Sequence, residues 1–256
     1  VTTLHGTDIT LVGKDPSFEP VITFCINESD AVTAVSHSLK EATYEHFKVT
    51  RPIDVIHNFI VPNNETNEGL DIIRLKYAQV NEPILCHISN FRPVKRVEDV
   101  LRVFAKVNAV LPSKLILVGD GPDRYNCERL CRELHLCDQV IFLGKVRDTS
   151  HVLEMADVFL LPSETESFGL AALEAMAVGV PVISSNTGGI PEVNIHGYSG
   201  YLSNVGDIDD MAKNTLELLK SENHPTFKKQ AKLRSEEFSL ARVLPMYEEL
   251  YRNLVK

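Results

Sequence analysis

The sequence predicts an α/β protein in which helices cover both faces of a doubly wound, parallel β-sheet. From about residue 82 onward, short apolar runs alternate with segments of helical periodicity, which is the rhythm of repeated βαβ units. The first 60 residues show this rhythm for three strands. With 256 residues, of which 44% are hydrophobic and 24% charged, the chain is long enough to bury a sizeable core.

The second part of the chain contains six candidate strands and five candidate helices. The strands are expected at 84–89, 114–118, 140–143, 158–161, 182–184 and 200–202. The helices are expected at 97–108, 124–135, 150–156, 168–177 and 207–219. In sheets of this kind ligands bind beyond the carboxyl ends of the strands, so a site should be sought in the loops that follow them.

The sequence of the first part of the chain predicts only half of a second doubly wound domain. A strand ends at Leu4, and Ser36 is a typical N-cap for a helix that continues to residue 47. The remaining elements of this part are a helix at 18–27 and strands at 31–35 and 53–56. A helix at 240–255 is expected to pack back on it. The domains are therefore a partial N-terminal domain (1–62), a C-terminal domain (63–238) and a C-terminal helix (239–256), with the polar stretch 62–70 as linker.

The composition argues against several classes of partner. A net charge of −9 argues against nucleic acid, because binding to a phosphate backbone needs a basic surface. No apolar run is long enough to span a membrane, and the N-terminus lacks the pattern of a signal peptide. The five cysteines fit no trusted zinc-ligand spacing, so reduced thiols in a cytoplasmic protein are expected. The first residue is Val1 and not Met, which we interpret as a fragment or a trimmed product.

Glu166 and Glu174 are the candidate binding residues with the strongest physical argument. Helical periodicity puts Leu170, Leu173, Glu174 and Ala177 on one face, which is otherwise apolar and is expected to point at the core. Because burying an unpaired carboxylate is costly, Glu174 should meet a polar partner, which is either a ligand or a basic side chain. A ligand at the helix N-terminus would reach Glu166, the free N–H groups and Glu174 together, although Glu166 also fits a solvated loop.

Basic side chains crowd the loop after the predicted strand at 84–89. Arg92, Lys95 and Arg96 offer guanidinium and ammonium groups that suit the oxygens of a diphosphate. The alternative is a solvated basic loop. His5 follows the first strand and precedes a glycine, so its imidazole is either presented into a cleft or has a structural role.

Two glycine-containing loops also follow predicted strands. The Gly-Asp-Gly-Pro sequence at 119–122 lacks the third glycine of a dinucleotide fingerprint, so a tight turn is expected, with Pro122 at the first position of the next helix. The paired glycines at 188–189 fit a close approach to a ligand or an ordinary turn, and the sequence does not separate the two.

Together these segments resemble the family 4 retaining glycosyltransferases of the GT-B type over nearly the whole chain. The motifs that carry the resemblance are Glu166-x7-Glu174 with Phe168-Gly169-Leu170, Asn90-Phe-Arg-Pro-Val-Lys95, Val118-Gly-Asp-Gly-Pro122, Gly188-Gly-Ile-Pro-Glu192 and His5-Gly-Thr-Asp8. Residues 2–10 and 87–92 are similar to the family members that transfer N-acetylglucosamine from UDP to L-malate in bacillithiol biosynthesis. The resemblance implies Rossmann-like domains, with the acceptor side in 1–62 and nucleotide-sugar binding in 63–238.

The resemblance also implies how the donor diphosphate is held. Arg92 and Lys95, with Asn90 beside them, would bind the phosphates and stabilise charge as UDP leaves. The N–H groups of Gly169 and Leu170, at a helix N-terminus, would add to this positive field. No cofactor and no metal are expected, because these groups would take the place of Mg²⁺.

The remaining roles concern the sugar, the ribose and the acceptor. The resemblance implies that Glu166 binds donor-sugar hydroxyls, Glu174 the ribose hydroxyls, and His5 the sugar from the opposite domain. Thr3 and Ser36 would lie near the acceptor. The donor-binding set is Asn90, Arg92, Lys95, Glu166, Phe168, Gly169, Leu170 and Glu174, and the catalytic set is His5, Arg92, Lys95 and Glu166.

The expected function is transfer of N-acetylglucosamine from a UDP-sugar donor to L-malate, a small hydroxy acid. Because part of the acceptor domain is absent from the sequence, this chain is expected to bind UDP and to turn over poorly or not at all. His37 departs from the small polar residue expected there. The alternatives are a family member with a different UDP- or GDP-sugar and acceptor, a non-catalytic UDP-binding module, and a dinucleotide oxidoreductase. A homo-oligomer stays open.

Overall fold

The computed structural model describes residues 1–10, 15–61 and 69–255, so most of the predicted linker at 62–70 lies outside the described residues. Two parallel sheets organise the chain. In the three-stranded sheet the order is β1-β2-β3, with β1 at Thr2–Leu4, β2 at Val32–Ala34 and β3 at Ile53–Val55. We call this sheet and the helices between its strands the N-terminal unit.

The six-stranded sheet has the order β6-β5-β4-β7-β8-β9, and all its pairings are parallel. Its strands are β4 (Ile84–Ile88), β5 (Lys114–Val118), β6 (Val140–Gly144), β7 (Val158–Leu161), β8 (Val182–Ser185) and β9 (Gly200–Ser203). We call this sheet with its helices, up to residue 238, the C-terminal unit. The chain winds outward from β4 in both directions, so the loops after β4 and β7 flank a topological switch point. The predicted class, a doubly wound parallel sheet, is confirmed.

Eleven α-helices are found in the described residues. They are α1 (Thr7–Thr10), α2 (Glu19–Asn27), α3 (His37–His46), α4 (Leu70–Arg74), α5 (Val97–Val110), α6 (Arg124–Glu133), α7 (Ser150–Met155), α8 (Leu170–Ala177), α9 (Ile208–Leu218), α10 (His224–Glu236) and α11 (Leu240–Leu254). Each predicted helix is present with its ends within two residues of the prediction. The helices α1, α4 and α10 were not predicted; α10 buries only a narrow stripe of Phe227, Ala231 and Ser235, which is a weak periodic signal.

The core of the C-terminal unit lies on both faces of its sheet, as the sequence predicts. Along β4, Ile84 and Cys86 belong to one buried apolar cluster, whereas Leu85 between them belongs to the other. Successive side chains of a strand point to opposite faces, so a strand that is apolar at every position needs helices on both sides.

The last helix lies beside the N-terminal unit. The backbone of Ile60 accepts from the N–H of Leu240 at 3.1 Å and donates to the carbonyl of Phe238 at 3.0 Å. Further along, Ile56 and Met246 line a common groove. The division of the chain at 62–63 falls in the undescribed linker and stays a prediction. In the described part of the chain, no helix combines the length and apolar character that crossing a bilayer requires.

Candidate active site

Loops from both units surround a cavity of about 180 Å³ beyond the carboxyl ends of β4 and β7. Its lining includes Gly6 from the loop after β1, Asn90, Arg92 and Lys95 from the loop after β4, and Glu166 from the loop after β7. The basic loop and Glu166 meet because β4 and β7 are neighbouring parallel strands whose carboxyl ends lie at the same edge of the six-stranded sheet. Gly6, 160 positions before Glu166, reaches the cavity from the three-stranded sheet of the other unit. The structure therefore brings the predicted basic loop and the first predicted carboxylate together.

The carboxylate of Glu166 is held by two side chains. The ammonium of Lys95 donates to Oε1 at 2.5 Å, and the hydroxyl of Ser163 donates to the same oxygen at 2.9 Å. Arg92 is exposed at this cavity and forms no ion pair within the described residues. The cavity thus carries one cation that is already paired and one that is available for an anion.

The N-terminus of α8 follows directly after the Glu166 loop, although the helix begins two residues later than predicted. Gly169 is its N-cap and has a φ of 93°, a left-handed conformation that favours glycine and cannot continue a helix back to Phe168. Within the described residues, the N–H groups of Gly169 and Leu170 donate to no protein acceptor. They remain free for an anionic ligand at the positive end of the helix dipole.

Glu174 lies on the wall of a second cavity, of about 300 Å³, together with Phe59, Thr149 and Leu170. Its carboxylate has no hydrogen bond or ion pair to the described part of the chain, and burial raises the pKa of this group. The prediction that this helix face points at the core is confirmed for Leu173, which is fully buried, and is wrong for Leu170. Leu170 is 42% exposed, and the buried side of α8 consists of Ala172, Leu173, Ala175 and Met176. A basic partner for Glu174, the alternative left open by the sequence, is not found among the described residues.

The paired glycines support the Glu166 loop. A Cβ on Gly188 would lie 2.0 Å from the carbonyl oxygen of Glu166, and one on Gly189 would lie 2.3 Å from that of Ser167. The N–H of Gly189 donates to the carbonyl of Glu166 at 2.9 Å. Residues 188–189 form a turn, which is one of the two roles that the sequence allowed. This turn packs closely against the backbone of the Glu166 loop and holds that loop in position.

The other glycine turn has a similar role. Gly119 has a φ of 128°, and a Cβ there would lie 1.7 Å from the carbonyl oxygen of Ser89, at the start of the basic loop. The turn holds the basic loop in place, which agrees with the prediction of a tight turn. The expectation for Pro122 was wrong by two residues, because a turn through Asp123 precedes α6, which begins at Arg124.

The predicted contact between the Phe168 side chain and the ligand must be corrected. Its side chain is 1% exposed and packs between the rings of His57 and Phe238, at centroid distances of 5.7 and 5.6 Å. Only its backbone remains accessible to a role in binding. The ring packs the end of the Glu166 loop against His57 of the N-terminal unit and Phe238 at the end of the C-terminal unit.

Of the residues predicted from the N-terminal unit, Ser36 contacts the Glu166 loop directly. Ser36 is fully buried; its hydroxyl donates to the carbonyl of Ser167 at 2.6 Å and accepts from the N–H of Leu39 at 3.0 Å. The hydroxyl of Thr3 accepts from Thr33 at 2.9 Å. His5 is exposed and directly precedes Gly6, which lines the smaller cavity. The roles of these residues in acceptor or sugar binding stay predictions.

Two residues that the sequence analysis did not select also shape the site. The carboxylate of Glu192 accepts the N–H groups of His37 and Ser38 at 2.9 Å each, and so caps α3 of the other unit. Its sequence signal was the GGIPE motif, whose glycines were considered without the acid. His87 is fully buried, its Nδ1 donates to the carbonyl of Leu160 at 2.8 Å, and its Nε2 accepts from the hydroxyl of Ser89 at 2.7 Å.

The bond to Leu160 requires a proton on Nδ1 of His87, because the Leu160 carbonyl only accepts. Burial lowers the pKa of His87 to about 4, so the ring is uncharged at neutral pH. A neutral His87 therefore orients Ser89, which begins the basic loop.

Comparison with known proteins gives a consistent result. The family model described as "Glycosyl transferases group 1" matches residues 72–236. N-acetyl-alpha-D-glucosaminyl L-malate synthase of Bacillus anthracis is 45% identical over 259 residues, which cover 100% of this chain and 68% of that protein. D-inositol 3-phosphate glycosyltransferase of Mycolicibacterium smegmatis is 32% identical over 66% of this chain and 40% of its own length.

Among solved structures, HepE of Anabaena in complex with UDP and glucose superposes with a TM-score of 0.87 at 21% identity, covering 98% of this chain and 71% of that one. Sucrose-phosphate synthase of Thermosynechococcus elongatus has a TM-score of 0.84 at 25% identity, covering 99% of this chain and 67% of that one. These likenesses, with the sheet order, confirm the predicted GT-B type. The sequence matches and the shared fold together establish that the chain belongs to the group 1 glycosyltransferases.

Proposed function

We propose that the chain binds UDP-N-acetylglucosamine and transfers its sugar to the hydroxyl of L-malate with retention of anomeric configuration. The choice of donor and acceptor is supported by 45% identity, over this whole chain, to a protein named for that product. The site contributes positive charge, which is the sign that a nucleotide diphosphate requires.

The observation that carries the proposal is the unpaired carboxylate of Glu174 on a cavity wall. A half-buried acid with no protein partner loses water on folding and recovers that loss only when a ligand donates hydrogen bonds to it. Two neighbouring hydroxyls of a ribose are donors that match the two oxygens of a carboxylate. We therefore assign the ribose of UDP to Glu174.

The diphosphate is assigned to Arg92, Lys95 and the free N–H groups of Gly169 and Leu170. Arg92 has no competing ion pair within the described residues, and the α8 N-terminus favours negative charge. Lys95, already 2.5 Å from Glu166, would share its protons between that carboxylate and a phosphate oxygen. Because these groups neutralise the charge that develops on UDP as it leaves, we propose that donor binding and transfer need no metal ion.

The sugar and the acceptor would lie between Glu166 and the N-terminal unit. Glu166 pairs with Lys95 of the basic loop, and His5 directly precedes Gly6, which lines the same cavity. We propose that the leaving phosphate accepts the proton of the malate hydroxyl on the same face of the sugar, which gives retention without a protein nucleophile. Since the hydroxyl of Ser36 already has two protein partners, its contribution to acceptor binding is through the position of Ser167.

Calorimetric titration of the 256-residue chain with UDP and with GDP, with EDTA present, tests donor binding. We expect UDP to bind and GDP to bind at least tenfold more weakly. Glu174→Gln should weaken UDP binding about tenfold, since hydrogen bonds to a charged group contribute about 1.5–3 kcal/mol. Glu164→Gln, an exposed acid in the Glu166 loop, is the matched control. Absence of UDP binding would contradict the proposal.

Transfer is tested separately by mass spectrometry of reactions that contain UDP-N-acetylglucosamine and L-malate. The expected product has the mass of malate plus one N-acetylhexosamine. UDP binding without any product, and without dependence on His5, would favour the non-catalytic module, and product only with another sugar or acceptor would favour a different family member. A cytoplasmic location is part of this proposal, and a homo-oligomer stays open.

A further inference from the structure

A cluster of two histidines and one glutamate lies outside the donor site, where the two units meet. Its members are His37, the first residue of α3, His57, which follows β3, and Glu192, in the 3₁₀ turn after β8. Their ligand atoms all lie within 4.8 Å of one another. The donor-site assignments above use none of these three side chains.

The distance between His57 and Glu192 fits a shared metal ion. Nε2 of His57 is 3.3 Å from Oε2 of Glu192, which is long for a charge-assisted hydrogen bond. Two ligands at about 2.0–2.1 Å from a tetrahedral zinc ion lie about 3.3 Å apart, so this pair already has the spacing of one edge of such a site.

The carboxylate is held in place for this role. The N–H of His37 donates to Oε2 and the N–H of Ser38 to Oε1, at 2.9 Å each. A carboxylate has about four lone-pair positions, so it keeps capacity for a metal after accepting these bonds. Hydrogen-bonded carboxylates are the usual outer support of protein metal sites.

The two imidazoles can complete the site with small changes. His57 is fixed by ring contacts with Phe168 and Phe238, at 5.7 and 5.4 Å, so its Nε2 keeps its direction toward Glu192. His37 is exposed, with its ring centroid 6.1 Å from that of His57, and a side-chain rotation can bring its nitrogen closer. Its exposure leaves the fourth position open to water.

We propose that His37, His57 and Glu192 form a zinc site that joins the two units of the chain. Two imidazoles and one carboxylate are ligands that suit Zn²⁺ and similar transition metals, whereas Mg²⁺ and Ca²⁺ prefer oxygen ligands. Two ligands come from the N-terminal unit and one from the C-terminal unit, so bound zinc ties α3 and the end of β3 to the turn after β8. This zinc site would be distinct from the donor site, whose proposed groups would bind UDP without a metal.

The test is calorimetric titration of the reduced chain with ZnCl₂, together with the visible spectrum of the chain after addition of CoCl₂. We expect one ion per chain and the absorption of four-coordinate Co²⁺ with nitrogen and oxygen ligands. His37→Ala and His57→Phe should each weaken binding at least tenfold; the second variant keeps an aromatic ring against Phe168. His46→Ala, at the exposed other end of α3, should bind as the unchanged chain does.

Three results would overturn the proposal. They are no binding of Zn²⁺ by the unchanged chain, unchanged affinity in both His37→Ala and His57→Phe, or thiolate-to-Co²⁺ charge-transfer bands that locate the ion at cysteines. Loss of binding in both histidine variants, with His46→Ala unaffected, supports it. Because UDP titration uses a different part of the molecule, failure here leaves the donor assignments untouched, and failure there leaves this site untouched.

Discussion

Replacing Gly189 by Ala should displace the Glu166 loop without changing any group that touches a ligand. Gly189 has a φ of −81°, so alanine is conformationally acceptable there and only its methyl group matters. The new Cβ would lie 2.3 Å from the carbonyl oxygen of Ser167, whereas ordinary contacts begin at 3.4 Å, so the loop must move by about 1 Å. A displacement of this size is enough to reduce catalysis about 100-fold.

The expected changes are a UDP dissociation constant raised about tenfold and, where turnover is measurable, a kcat/KM lowered about 100-fold. Overpacking also costs about 2 kcal/mol of folding free energy, which lowers Tm by about 4–8 °C in a chain of this size. Calorimetry with UDP and thermal unfolding by circular dichroism measure the two effects.

Gly197→Ala is the matched control for Gly189→Ala. Its φ is 75°, and no atom lies within 4 Å of the added Cβ, so it costs about 1–2 kcal/mol of backbone strain but pushes on nothing. It should lower Tm and leave UDP affinity unchanged. If Gly189→Ala instead loses stability while it binds UDP as tightly as the unchanged chain, the loop position does not control the site and the reasoning is refuted.

Three further substitutions test individual contacts. Glu174→Gln should raise the free energy of unfolding at pH 7 by well under 1 kcal/mol, because the group is only partly buried. Since burial raises the pKa of Glu174 in the folded protein, this gain should vanish as the pH falls below the ordinary range of a glutamate. A gain that grows on acidification would contradict this sign. Lys95→Met leaves Glu166 without its ammonium partner, so we expect the free energy of unfolding in urea to fall by about 1–3 kcal/mol and UDP to bind more weakly. Unchanged stability would mean that the 2.5 Å pair contributes nothing. Ser36→Ala removes a helix cap and the donor to the Ser167 carbonyl, so we expect a loss of about 2 kcal/mol in the same assay, and a loss below about 0.5 kcal/mol would speak against this link between the units.

The elements of the fold could be read from the sequence because their signals are local. The strand at Val158–Leu161 is a short apolar run before a polar turn, and Ser36 caps α3 through its own third neighbour, Leu39. The helix α10 was not predicted, because only a narrow stripe of it is buried and its periodic signal is weak. Hydrophobic periodicity and helix capping depend on residues that are close together in the chain, so both can be recognised in the sequence before the fold is known.

The candidate site was predicted in part. The chemistry of Arg92, Lys95, Glu166 and Glu174 could be anticipated, because cations and acids after strands of a parallel sheet meet at one edge. The direction of Glu174 could not, because periodicity defines a helix face and does not say whether that face meets the core or a cavity. Here the buried side of α8 is the one that carries Met176, and Glu174 faces the cavity.

The sequence by itself determined the fold class, most of the strands and helices in their order along the chain, and the family. Only the tertiary structure decided that Lys95 pairs with Glu166, that the glycines at 188–189 support the Glu166 loop, and that Glu192 caps α3. These contacts join residues that are far apart in the chain: Ser36 and Ser167 are separated by 131 positions, and His37 and Glu192 by 155. Such partners meet only through the packing of two sheets, which depends on the shape of the whole molecule and leaves no local signal in either segment.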